Sequence, residues 1–112
     1  MEETFNVTLD IRDTAKIIDD AVIEGSITGE CIDTYSIQVP NVGNCLVSVY
    51  EKHYYRAGNT LTLTVVMDDF EGKTRVHCVS GGGGEGLFRF DWGAADSFSS
   101  IVSDSLAEFR LE

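Results

Sequence analysis

Glu51, His53 and Tyr55 alternate along the run from Cys45 to Tyr55, so any strand formed there presents them on one side. A histidine titrates near neutrality and a carboxylate can orient it, which is what a general base at a pocket mouth needs. Residues two apart on a strand stand about 6.5–7 Å apart at the backbone, however, so a strand end or bulge that merely exposes all three competes with this assignment. His77 and Cys78 are adjacent in a strand pattern and point opposite ways, which bars them from one metal ion unless a bulge intervenes. Cys31, Cys45 and Cys78 are odd in number and widely spaced, without a Cys-x-x-Cys pair; reduced thiols are expected rather than a disulfide framework or a zinc site. Asp68-Asp-Phe-Glu-Gly-Lys73 lacks the alternating ligands of a calcium loop and reads as a turn. No metal and no cofactor are expected.

The densest local signal is Ser80-Gly-Gly-Gly-Gly-Glu-Gly-Leu-Phe-Arg-Phe-Asp-Trp-Gly-Ala-Ala-Asp-Ser-Phe98. Glycine loops cradle phosphates when a helix N-terminus follows, but here no Gly-Lys-Ser/Thr ending appears and Leu87 to Trp92 alternates with period two. The run is therefore expected to be a hairpin connection between strands, with anion binding as the competing use. Ser-Gly-Gly, an aromatic-basic strand, then glycine and a short helix containing Phe98 resembles an uncharacterised family of short bacterial α+β domains of unknown function. The likeness is sharpest from Ser80 to Phe98. It implies no activity and transfers no functional residue.

These residues must be positioned by a regular framework. Phe5, Val7, Leu9 and Ile11 alternate with polar residues, giving a first strand. Ile17, Ile18, Ala21 and Val22 then recur at helical spacing, which predicts a helix over residues 13–24, capped at Asp13 or Thr14 and ended at Gly25. Strands follow at 31–39, 45–55, 60–67, 74–80 and 87–92, with turns at Pro40 to Asn44, Ala57 to Asn59 and 68–73. Asp96 is expected to cap a last helix, with Phe98, Ile101, Val102, Leu106 and Phe109 on its apolar stripe. The fold class is α+β: an antiparallel sheet of about five to six strands with an N-terminal and a C-terminal helix packed on one face, as a single domain over residues 1–112.

Parity sets Val47, Val49, Leu61, Leu63, Val65, Met67, Val76, Cys78, Phe88, Phe90 and Trp92 on the covered face. The open face then takes Tyr50, Lys52, Tyr54, Arg56, Arg75, His77 and Arg89. Against 19 acidic residues and a net charge of −11, four of the eight Lys and Arg residues would gather on that surface. Tyr and Arg are favoured interface anchors, so the open face is a candidate docking surface for a homodimer or an acidic protein partner; a solvated basic face is the bland alternative. The acidic balance disfavours nucleic acid. Met1-Glu-Glu-Thr-Phe5 lacks a signal-peptide pattern and no apolar run reaches the length of a membrane span, so a cytosolic protein and no membrane contact are expected. The leading expectation is a non-enzymatic interaction module. The alternative is a small enzyme or metabolite-binding protein, with a pocket between sheet and C-terminal helix near the glycine run, lined by Glu51, His53, Phe88 and Trp92.

Overall fold

The computed structural model describes residues 2–25, 29–54, 59–83 and 92–111. The elements run β1 (Glu2–Val7), α1 (Ile11–Gly25), β2 (Glu30–Val39), β3 (Gly43–Tyr54), β4 (Asn59–Asp68), β5 (Thr74–Gly83), α2 (Trp92–Ser105), a single turn of 3-10 helix η1 (Ala107–Phe109) and β6 (Arg110–Leu111). The six strands form one sheet in the order β2-β3-β4-β5-β1-β6, and all neighbours are antiparallel. Strands β2 to β5 are a meander, as the closely spaced turns predict. The first strand is then laid against β5, far along the chain, which makes an α+β chain dominated by its sheet.

Alternation decides what is buried. Leu61, Leu63, Val65 and Met67 of β4, Val76 and Cys78 of β5, and Phe5 and Val7 of β1 form one hydrophobic cluster with Ile18 and Val22 of α1 and Phe98, Val102 and Leu106 of α2. We call the side of the sheet that carries Leu61 to Met67 the core face, and the other side the outer face. Ile101 and Phe109 pack against the cluster from its margin. Phe90, expected beside them, lies outside the described residues.

Three local expectations are corrected. Helix α1 begins at Ile11, two residues earlier than its spacing suggested, because Asp10 is the cap: its Oδ1 accepts the Asp13 N–H at 2.8 Å, and its carbonyl accepts both the N–H and the hydroxyl of Thr14. Helix α2 begins at Trp92, so Asp96 lies inside it instead of capping it, and Trp92 is helical instead of ending a strand. The small residues Gly93, Ala94 and Ala95 separate the aromatic run from the apolar stripe, and alanine's high helix propensity extends the helix through them. Third, Gly81, Gly82 and Gly83 are not loop: they prolong β5 and pair with Thr62, Leu61 and Thr60. The remainder of the glycine run, and residues 87–91 of the expected last strand, lie outside the described residues.

Gly82 holds φ +99°, and a Cβ there would meet the Thr60 carbonyl oxygen at 2.6 Å. Gly81, one residue earlier, has open space around its Cβ direction. Gly82→Ala is therefore expected to cost at least the ~1–2 kcal/mol of a left-handed conformation, while Gly81→Ala stays close to the parent in urea denaturation.

Candidate functional site

Strand β3 carries side chains of consequence on both faces. Its register with β4 sets Ser48 opposite Val65, Tyr50 opposite Leu63 and Lys52 opposite Leu61, all on the core face. Tyr50 is 2% exposed and its hydroxyl donates to the Asp19 carboxylate of α1 at 3.2 Å. Lys52 extends its ammonium to 5.9 Å from the Phe98 ring centroid. Both were expected on the open face, and both are on the opposite one. The physical reason is that Tyr50 buries a large ring while its polar tip finds a partner on α1, a gain that a valine in its place could not match. Val47 and Val49, expected in the core, are correspondingly turned outward.

Burial first, and then the Asp19 charge, push the Tyr50 hydroxyl well above the tyrosine value of 10.0. Burial followed by the charge of Glu3 raises the Cys78 thiol from 9.0 to about 11. In both cases the folded state holds the proton more tightly than the unfolded chain. The associated stability is fully present below the unfolded values and is lost as pH rises toward the folded ones. Urea denaturation is expected to show stability falling from about pH 9 upward, with Tyr50→Phe abolishing the part of the fall that begins near pH 10.

On the outer face, cross-strand neighbours form rows. One row is Ile37, Cys45, Asp68, Arg75 and Asn6; the next is Tyr35, Val47, Val66, His77 and Thr4; the third is Asp33, Val49, Thr64, Val79 and Glu2. Apart from Asp33, their β2–β3 end is apolar. Tyr35 is 61% exposed and Ile37 42%, with Val39 of β2 and Val79 of β5 also exposed and Val47, Val49 and Val66 half-buried between them. An antiparallel sheet with one solvated face ordinarily shows polar residues there, so this patch departs from the pattern. It was missed from the sequence, although the unbroken runs Val65-Val66-Met67 and Cys78-Val79 already place apolar residues on both sides of the sheet.

Among the described residues, the expected basic face keeps only Arg75 and His77. Arg75 does lie on the outer face, but its guanidinium is held at both ends of the Asp68 carboxylate, with Nε to Oδ2 at 3.0 Å and Nη2 to Oδ1 at 3.1 Å, and by Glu71 at 2.8 Å. His77, also outward, shares a hydrogen bond between its Nδ1 and the Thr4 hydroxyl at 2.7 Å and has Glu2 at 3.6 Å from Nε2. The Arg75 charge is thus met within the chain by Asp68 and Glu71. Arg56, Arg89 and the side chain of Tyr54 lie outside the described residues.

Nor do the described members of the alternative pocket meet the helices. Glu51 and His53 pair with Thr62 and Thr60 on the outer face, and His53 Nδ1 lies 3.4 Å from the Thr60 hydroxyl. Phe88 and the side chain of Trp92 lie outside the described residues. A groove of about 420 Å³ does open beside α1, lined by Ile11, Arg12, Ala15, Leu46 and the Ser36–Gln38 and Asn44–Cys45 segments, but neither Glu51 nor His53 lines it. Among the described residues no cluster of three or more His, Cys, Asp and Glu could hold a metal ion, and no helix is long and apolar enough to cross a membrane.

Sheet order and the apolar outer face define a class: an α+β domain with a six-stranded antiparallel sheet in which, among the described residues, a long edge strand and an apolar patch stay exposed. The chain belongs to a family of unknown function, DUF6054, which it matches over residues 1–110. No curated protein and no solved structure matches it.

Proposed function

We propose that this chain is a non-enzymatic interaction module that binds a protein partner on the outer face of its sheet, at the β2–β3 end. In this reading both helices shield the core face, and the outer face is the working surface. The observation that carries the proposal is the set Tyr35, Ile37, Val39, Val47 and Val49, contiguous across two strands and joined through Val66 to the sheet centre. Such side chains are suited to burying apolar area against a complementary protein, with Tyr35 as the aromatic anchor. Asp33, Glu51 and Glu30 border the patch on the same face, so the partner's rim should be neutral or basic.

The test is affinity copurification from the source cells with the parent chain, Val49→Lys and a surface control, Lys16→Glu. Proteins retained by the parent and by Lys16→Glu but lost with Val49→Lys support the proposal. Identical sets of bound proteins for all three chains contradict it.

A further inference from the structure

We infer that the free edge of β2 pairs with β2 of a second copy across a two-fold axis centred on Ser36, joining two sheets into one. This contact is made by the backbone edge of β2 and does not rest on the outer-face proposal, although Tyr35, Ile37 and Val39 border both surfaces. Strand β2 is an edge of the sheet and all ten of its residues are exposed. A long edge of unpaired N–H and C=O groups is a template for another strand unless it is blunted by lysine, proline, a bulge or covering structure. Between Asp33 and Val39 there is no lysine and no proline, and the other edge, β6, is only two residues long.

The position of the axis follows from where the edge is regular. The register with β3 is unbroken from Asp33 to Val39; a bulge at Ile32 interrupts it on one side and the Pro40–Val42 turn ends it on the other. That leaves seven straight residues with Ser36 at their midpoint. An axis normal to the sheet through the Ser36 pair sets Thr34 opposite Gln38, Tyr35 opposite Ile37 and Asp33 opposite Val39 of the second copy. Same-face residues then meet: hydroxyl and amide groups on the core-face side, aromatic against β-branched on the outer side. Sliding the register by two residues leaves part of the straight segment unpaired. Seven facing residues supply about six to eight backbone hydrogen bonds, placing the contact among small interfaces of under about 1,200 Å².

Charge neither drives this contact nor forbids it. Each chain carries −11, but the segment holds one charge, Asp33, opposite Val39 and roughly 20 Å along the strand from its symmetry mate. That separation exceeds the Debye length of about 8 Å at physiological ionic strength, so added salt should relieve the general repulsion and strengthen the dimer. A contact held by ion pairs would weaken instead.

Two measurements decide it. Sedimentation equilibrium up to about 200 μM should give a monomer–dimer equilibrium that shifts toward dimer between low and high salt, as for a small interface relieved of repulsion. In a Cys31→Ser background, Ser36→Cys should form a covalent dimer on mild oxidation far faster than Val42→Cys in the exposed turn, because directly opposed residues stand about 4.5–5.5 Å apart at Cα, within disulfide reach. A monomer throughout that range, or equal crosslinking at the two positions, overturns the inference. Val49→Lys, which lies on the neighbouring strand, should leave the Ser36→Cys crosslink intact, so loss of the outer-face partner and loss of the dimer are read separately.

Discussion

Phe98→Ala is expected to destabilise the fold by about 3–5 kcal/mol, the range for truncating a large buried side chain. Phe98 is fully buried in α2, in the cluster with residues of α1, β1, β4 and β5, and its ring also receives the Lys52 ammonium. Its removal opens a cavity at the junction of several elements, where no single side chain can move in without leaving its own contacts. Against a total stability of roughly 5–15 kcal/mol for a typical domain, the loss should be visible as a large drop in urea midpoint. A loss below about 1 kcal/mol would be the signature of a surface position and would contradict the placement of α2.

The second large effect separates two neighbours on β3. Ser48 is 4% exposed on the core face beside Tyr50, whereas Val49 stands on the outer face opposite Thr64. Ser48→Lys forces an ammonium either into apolar surroundings, neutralised at a cost, or outward by distorting the strand; a loss of at least about 3 kcal/mol is expected. Val49→Lys keeps its head in water and should cost no more than about 1 kcal/mol. Equilibrium denaturation of the pair reads the strand's orientation directly. The reverse order, with Val49→Lys the damaging change, would restore the assignment in which the two valines face the core.

That orientation is where the sequence was least legible. On β4, polar Thr60, Thr62 and Thr64 alternate with Leu61, Leu63 and Val65, so composition alone identifies the buried side, and β5 follows at Val76 and Cys78. On β3 both registers offer apolar residues: Leu46 and Tyr50 on one side, Val47 and Val49 on the other. The choice depends on Asp19, thirty-one residues away on α1, which accepts the Tyr50 hydroxyl. No local periodicity carries that information. The same inversion moved Lys52 to the core face and Glu51 and His53 away from it, so a single misassigned strand displaced members of both candidate sites. Arg75 and His77 lie on the outer face as expected, but the pairing of Arg75 with Asp68 and Glu71 and the approach of Thr4 and Glu2 to His77 depend on a turn and on β1 pairing beside β5, neither of which spacing reveals. Helix α1 and the meander were legible because their patterns are local.

Site-specific photocrosslinking in the cells that make the protein reads whether the β2–β3 end of the outer face is the contact surface. A photoreactive side chain is placed in turn at Val49 and Tyr35 on the patch and at Glu108, exposed on η1. A common protein adduct is expected at Val49 and Tyr35 and none at Glu108. Adducts at Glu108 with none at the two patch positions, or no protein adduct at Val49 and Tyr35 at all, would contradict the outer-face proposal.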